Sequence, residues 1–191
     1  MPILNKYLDL DGIDELRQFF IEKGSPHEFR KDEFFMQQGQ MQNYVGFISK
    51  GGFRYVRFTS AGTEQIVGYS FENDLVVDYG AFQVREPALI GGQAIKRSTV
   101  LRVTYDELNA FYDQCSSPNL RGRISETFFE DIYGRLLSLY CDSPEKRYIR
   151  LIERYPEILN QVRLKEIASL IKTTPETLSR IRKKLLLLPN P

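Results

Sequence analysis

The chain has 191 residues, of which 42% are apolar, enough to bury a real core and to exclude global disorder. No apolar run approaches the roughly 18 residues that span a bilayer, and MPILNKYLDLDGIDEL at the start lacks the basic and apolar regions of a secretory signal. The net charge of +1 conceals a division: residues 143–184 hold 11 Lys and Arg against 5 Glu, and the remainder holds 15 basic against 20 acidic residues. Such polarity suggests one part that faces an anion, although a chance excess on solvated helical faces gives the same numbers.

In chain order, DGIDELRQFFIEK (11–23) spaces Ile13, Leu16, Phe19 and Phe20 as one helical face, with Gly24 and Pro26 ending it. From about 28 to 104 the texture changes. NYVGFISK, GFRYVRFTS, EQIVGYSF and STVLRVT are rich in β-branched and aromatic residues and are punctuated by Gly51-Gly52, Gly62 and Gly91-Gly92. Short strands at this spacing predict a β-barrel or a double-sheet roll. YDELNAFY (105–112) then predicts a short helix and residues 119–141 a long one. On the long helix Leu120, Ile124, Phe128, Ile132 and Leu136 recur every four residues, and Phe129, Tyr133, Leu137 and Tyr140 form a neighbouring stripe. Two stripes need two surfaces. One is the β-domain; the other is a partner's copy of the same helix or the interior of a single monomer, and the partner is the preferred reading. Ser143 as N-cap and Pro144 at N1 open a further helix that runs to Tyr155.

Residues 163–185, RLKEIASLIKTTPETLSRIRKKL, carry the most specific signal. Ile167, Ala168, Leu170 and Ile171 give a first helix one apolar face. A second helix opens with Thr174 as N-cap and Pro175 at N1, and buries Leu178, Ile181 and Leu185. The short Lys172-Thr173-Thr174 link and the small Ala168 suit a helix-turn-helix. The outward face carries Glu176, Thr177, Arg180, Lys183 and Lys184 beside Thr174. Arg can donate two parallel hydrogen bonds to guanine and Glu can accept from cytosine N4, while the lysines suit phosphate. An ordinary helical hairpin with a basic surface is the plainer reading; the cap, the tight turn and the local charge together favour double-stranded DNA.

VRLKEIASLIKTTPETLSRIRKKL resembles the helix-turn-helix of Crp/Fnr-type regulators, the catabolite activator family, above all in its E-I-A and T-x-E-T-L-S-R-I core. The stretch QQGQMQNYVGFISKGGFRYVRFTSAGTEQIVGYSFENDL is similar to their sensory β-roll, with Gly39, Lys50-Gly51, Gly62 and Asn73-Asp74 in place. The resemblance implies an α+β fold: a double-stranded β-roll of the cyclic-nucleotide-binding type (1–118), a dimerisation helix (119–141) and a C-terminal, winged-helix-like helix-turn-helix domain (142–191). It places Glu176 and Arg180 at base-reading positions, and Ile124, Phe128, Ile132 and Leu136 along the axis of a homodimer. Three departures stand out: Arg163 where a Ser or Thr cap is usual, Lys172 where Gly is common, and an end at Leu188-Pro189-Asn190-Pro191 that leaves no room for a β-hairpin wing.

An uninterrupted match from Asn73 to Tyr105 puts Val77-Asp78 where cyclic-nucleotide-binding relatives hold the ribose, and Ala88-Leu89 where they hold the phosphate with Arg and a hydroxyl. Ala88 and Leu89 offer neither group, which argues against a cyclic nucleotide. The alternatives are no ligand or a mixed-polarity small-molecule effector, lined by Tyr79, Phe82, Ala88 and Leu89 and oriented by Asp78 and Arg85. Other chemistries fit poorly. Cys115 and Cys141 are too few for a disulfide framework or an iron–sulfur cluster, and His27, expected in a surface loop, is the only histidine. No nucleophile–base set or phosphate loop is present. The expectation is a cytoplasmic, membrane-free regulator with no catalytic residue, no metal and no cofactor. The competing reading is a small-molecule-sensing signalling module whose helical tail contacts a protein partner.

Overall fold

A computed structural model describes residues 5–186. Leu188-Pro189-Asn190-Pro191, and with them the expected lack of a wing, lie outside the described residues. Among those described, the chain forms eight strands and eight α-helices in two compact units, residues 5–128 and 129–186. The strands are β1 (Ser25–Phe29), β2 (Phe34–Met36), β3 (Tyr44–Lys50), β4 (Gly52–Phe58), β5 (Glu64–Phe71), β6 (Leu75–Val76), β7 (Gly91–Ala94) and β8 (Ser98–Thr104). The helices are α1 (Ile13–Lys23), α2 (Tyr79–Val84), α3 (Tyr105–Gln114), α4 (Leu120–Cys141), α5 (Pro144–Arg154), α6 (Ile158–Gln161), α7 (Leu164–Leu170) and α8 (Pro175–Leu186).

The first unit has the α+β roll that the strand pattern implies. Two four-stranded antiparallel sheets have the orders β1-β8-β3-β6 and β2-β7-β4-β5. Ile48, Val76, Val100, Phe53 and Ala94 meet between them, joined by Phe29 and Phe35. The first sheet is covered on its other face too, where Val45, Phe47, Leu75 and Val103 pack with α1, α3 and the start of α4. Burial on both faces explains why YVGFIS is an unbroken apolar run rather than an alternating one. Gly46 lies in this run because a Cβ there would stand 2.3 Å from Val100 and 2.8 Å from Val76. His27, expected in a loop, is half-buried in β1 and accepts a hydrogen bond from Arg102. The start of α3 is set by a capping box: Thr104 Oγ accepts from the Glu107 amide, and Glu107 accepts in return from the Thr104 amide.

A buried carboxylate ties the N-terminal segment to the roll. Asp74 follows Asn73, whose positive φ of 68° turns the chain between β5 and β6. Its carboxylate accepts from Asn5 Nδ2 at 2.5 Å, from the Leu75 amide at 2.7 Å and from the Tyr7 hydroxyl. Tyr7 stacks on Phe128 of α4, and Phe128 stacks on Tyr79 of α2, with ring centroids 4.7 and 5.0 Å apart. Burial outweighs the hydrogen bonds that favour the anion and pushes Asp74 up from 3.8 to about 6. The folded state therefore binds this proton more tightly than the unfolded chain. The stability that Asp74 contributes is full below the ordinary value of 3.8 and is lost as the pH rises through about 6. A carbon-13 titration of the side-chain carboxyl, assigned by its loss in Asp74→Asn, should give a midpoint near 6; a midpoint below about 4 would show that the donors prevail over burial.

Candidate functional site

The second unit is built around a helix-turn-helix. Tyr148, Tyr155, Ile158, Val162, Ile167, Ala168, Ile171, Leu178 and Ile181 are its buried apolar residues, and Leu185 is half-buried. Ala168 is fully buried where α7 and α8 pack together, as its small size requires. Arg163 precedes α7 without a side-chain cap. The helix ends in a Schellman turn: the Thr173 amide donates to Ala168 O at 2.9 Å and the Lys172 amide to Ser169 O at 3.1 Å. Lys172 takes the left-handed position, at a φ of 52°, where glycine is free of the cost. Thr174 caps α8, its hydroxyl accepting from the Thr177 amide at 3.2 Å.

The outward face of α8 presents Glu176, Arg180 and Lys183 exposed to solvent, with Thr177 half-buried beside them. Ser179 is also exposed on this helix; as a small polar residue without a charge it gave no signal in the sequence. Glu176 is held below the usual carboxylate range by its own amide and the Thr174 hydroxyl, with Arg180 adding to the effect. It remains an acceptor at neutral pH. Lys184 differs from its neighbours: its Nζ donates to both carboxylate oxygens of Glu145 at 2.9 Å, which ties α8 to α5.

Much of the positive charge in 143–184 serves the unit itself. Arg154 pairs with Asp131 of α4 at 2.5 Å, and Arg135 reaches the other oxygen at 2.8 Å. Burial pushes Asp131 up, but the two guanidiniums outweigh it and hold the carboxyl below its usual range. Arg150 donates to Ser138 Oγ at 2.9 Å and to Asp142 at 2.8 Å. Arg147 donates to backbone carbonyls of Ile171, Lys172 and Asp142. With Lys184, at least four of the eleven basic residues in 143–184 are thus engaged within the unit.

The long helix needs a correction. Ile124 is 0% exposed and Phe128 packs against the same core of the first unit, so neither is available to a partner. A four-residue repeat on a helix of 3.6 residues per turn drifts by roughly 40° per step. The line from Ile124 to Leu136 thus leaves the core face and turns to solvent. Phe129, Ile132, Tyr133, Leu136, Leu137 and Tyr140 form one exposed apolar stripe, with Phe129, Ile132 and Tyr140 at 68%, 62% and 82%. Phe129 and Tyr133 stack along it at 5.8 Å.

The expected effector pocket is also corrected. Tyr79 and Phe82 do not line an opening. They lie one turn apart on α2 and point into the core shared with α3 and α4, where Phe82 meets Tyr105 edge-on at 5.5 Å. Arg85, left-handed at a φ of 56°, lies 4.9 Å over the Tyr105 ring and 4.0 Å from Asp106. Ala88 is buried, and its backbone is fully engaged: its amide donates to Gln40 O at 2.9 Å and its carbonyl accepts from Gly39 at 2.7 Å. Asp78 and Leu89 do come together, since Asp78 Oδ2 accepts from the Leu89 amide at 2.7 Å. Arg57 holds the Leu89 carbonyl at 3.1 Å, and the Leu89 side chain stays 59% exposed. Gln42 fixes Asp78 by bonding both its backbone amide and its carbonyl. No local pattern in the sequence links Gln42 or Arg57 to this loop. Among the described residues no cluster of His, Cys, Asp and Glu could hold a metal ion, and no helix is long and apolar enough to cross a membrane.

Residues 26–115 match the cyclic nucleotide-binding domain family. The transcriptional activator protein anr of Pseudomonas aeruginosa is 26% identical over 132 residues, 69% of this chain and 50% of that protein. The match thus spans half the length of this curated relative. FixK2 from Bradyrhizobium japonicum superimposes with a TM-score of 0.71 at 17% identity, covering 85% of this chain and 84% of that one. The catabolite activator protein of Thermus thermophilus gives 0.59 at 16% identity, covering 97% and 90%. The chain is similar to proteins of the Crp/Fnr type. Crp/Fnr proteins are a family of transcription regulators, and the roll followed by helices is their architecture.

Proposed function

We propose that the chain is a homodimeric, DNA-binding transcription regulator of the cytoplasm. The observation that carries this reading is the exposed row Glu176, Arg180 and Lys183 on α8, a helix capped by Thr174 and braced by α7. In this reading residues 1–118 are the sensor, 119–141 the dimerisation helix and 142–191 the DNA-binding domain. Two α8 helices enter successive major grooves of an inverted repeat. Arg180 reads guanine, Glu176 reads cytosine, and Lys183 contacts phosphate. Lys184 contributes by bracing α8 through Glu145. The apolar stripe from Phe129 to Tyr140 supplies the dimer surface, since so large an exposed row on one helix calls for a partner. The protein acts by binding, without catalysis.

The roll is not proposed as a cyclic-nucleotide receptor. Its Ala88 and Leu89 amides are already engaged, by Gln40 and by Asp78, and a carboxylate stands where a phosphodiester would need a cation. Calorimetry with about 100 μM cyclic AMP is expected to show no binding stronger than micromolar; a tight stoichiometric complex would overturn this assignment. On a site selected from a random duplex pool, Arg180→Ala should cost about 1–3 kcal/mol and relax preference at one base pair per half-site, with little effect on random DNA. Equal losses on both duplexes would move Arg180 to the backbone. Ile132→Asp should sediment as a folded monomer and lose the selected site; wild-type protein that is already monomeric at micromolar concentration would remove the dimer.

A further inference from the structure

We propose that Arg147 is a positioning residue for the recognition helix, one guanidinium that locks the end of α4 to the left-handed turn in front of α8. The inference rests on the DNA-binding reading and deepens it. Arg147 lies on the first turns of α5, a helix that carries none of the outward row. Its Nε donates to Ile171 O at 2.8 Å, its Nη2 to Lys172 O at 3.2 Å and its Nη1 to Asp142 O at 2.5 Å. Ile171 and Lys172 are the residues through which the chain leaves α7, and Asp142 is the first residue past α4.

The chemistry calls for such a group. The last carbonyls of a helix have no intrahelical donor, and the backbone amides of the Schellman turn satisfy only those of Ala168 and Ser169. Past Leu170, the carbonyls of Ile171 and Lys172 are taken by Arg147, and a cation at a helix C-terminus also opposes the helix dipole favourably. The turn has a second need. Lys172 adopts a φ of 52° without the freedom of glycine, so the peptide that follows it must be held from outside. Arg147 is bonded to the carbonyl of that peptide. The planar guanidinium fork reaches three acceptors in fixed directions, which the single flexible ammonium of lysine cannot do. Arg147 thus couples the direction of α8 directly to the end of α4, beside the indirect route through Lys184–Glu145, Arg150 and Arg154. If the stripe on α4 is the dimer axis, Arg147 sets how each recognition helix is presented to its half-site.

The test uses the full-length chain, a duplex selected by the wild-type protein and a scrambled duplex. Arg147→Lys and Arg147→Gln should lose at least about tenfold in affinity for the selected duplex while random DNA changes by less than about threefold, because a misaimed helix still meets phosphate. Adding Lys172→Gly to Arg147→Gln should recover part of the discrimination, since glycine adopts the left-handed turn without support. In both single variants the Lys172 and Thr173 amides should exchange faster with solvent than in wild type. Equal losses on both duplexes, or a variant that discriminates as wild type does, would overturn the proposal. Wild-type protein that prefers no duplex would overturn the DNA-binding reading. Faster amide exchange in the variants would then locate the failure in that reading rather than in the clamp.

Discussion

Apolar surface on α4 is the constraint around which the molecule is organised. The helix has 22 residues, a length of roughly 33 Å at 1.5 Å per residue. Its first turns insert Leu120, Ile124 and Phe128 into the core of the roll, where Phe128 is stacked between Tyr7 and Tyr79. Farther along, the apolar row from Phe129 to Tyr140 faces solvent. Leaving it there forfeits the free energy of burial, about 25 cal/mol for each Å² of apolar surface. A protein that keeps such a row has a use for it. The reading as a dimer surface follows from that cost together with the family to which the chain is similar.

Electrostatics divide the second unit in a way that a count of charges does not show. Arg147, Arg150, Arg154 and Lys184 are bound to partners within the unit, on α4, α5 and the α7–α8 turn. They fix geometry, whereas Arg180 and Lys183 stand exposed on the outward face of α8. Under the proposed DNA-binding reading, this division matches what sequence-specific recognition requires. Attraction for phosphate needs only positive charge, whereas base reading needs one helix held at a set angle and depth. The internal bonds supply the second requirement.

In the roll, the segment from Asp78 to Leu89 is closed on itself. Asp78 takes the Leu89 amide, Gln40 takes the Ala88 amide, and Arg57 and Gln42 steady the same loop through backbone groups. An incoming anion would have to displace a carboxylate that already satisfies the donor it needs.

The sequence by itself determined the features that are set over a few residues. The main strands and helices lie within a residue or two of their expected limits, because alternation, helical period, Thr174 as cap, and Pro144 and Pro175 at N1 are local signals. The left-handed position of Lys172 was legible only through the resemblance, which puts a common glycine there. The short β2, β6 and β7 and the six-residue α2 were not, since each exists only through partners distant in the chain. Only the tertiary structure decided which face of α4 is buried, that Tyr79 and Phe82 are core rather than pocket, and that Arg147 joins three segments. Those outcomes depend on distances between residues far apart in sequence, and apolar or basic character alone does not say what a side chain will touch.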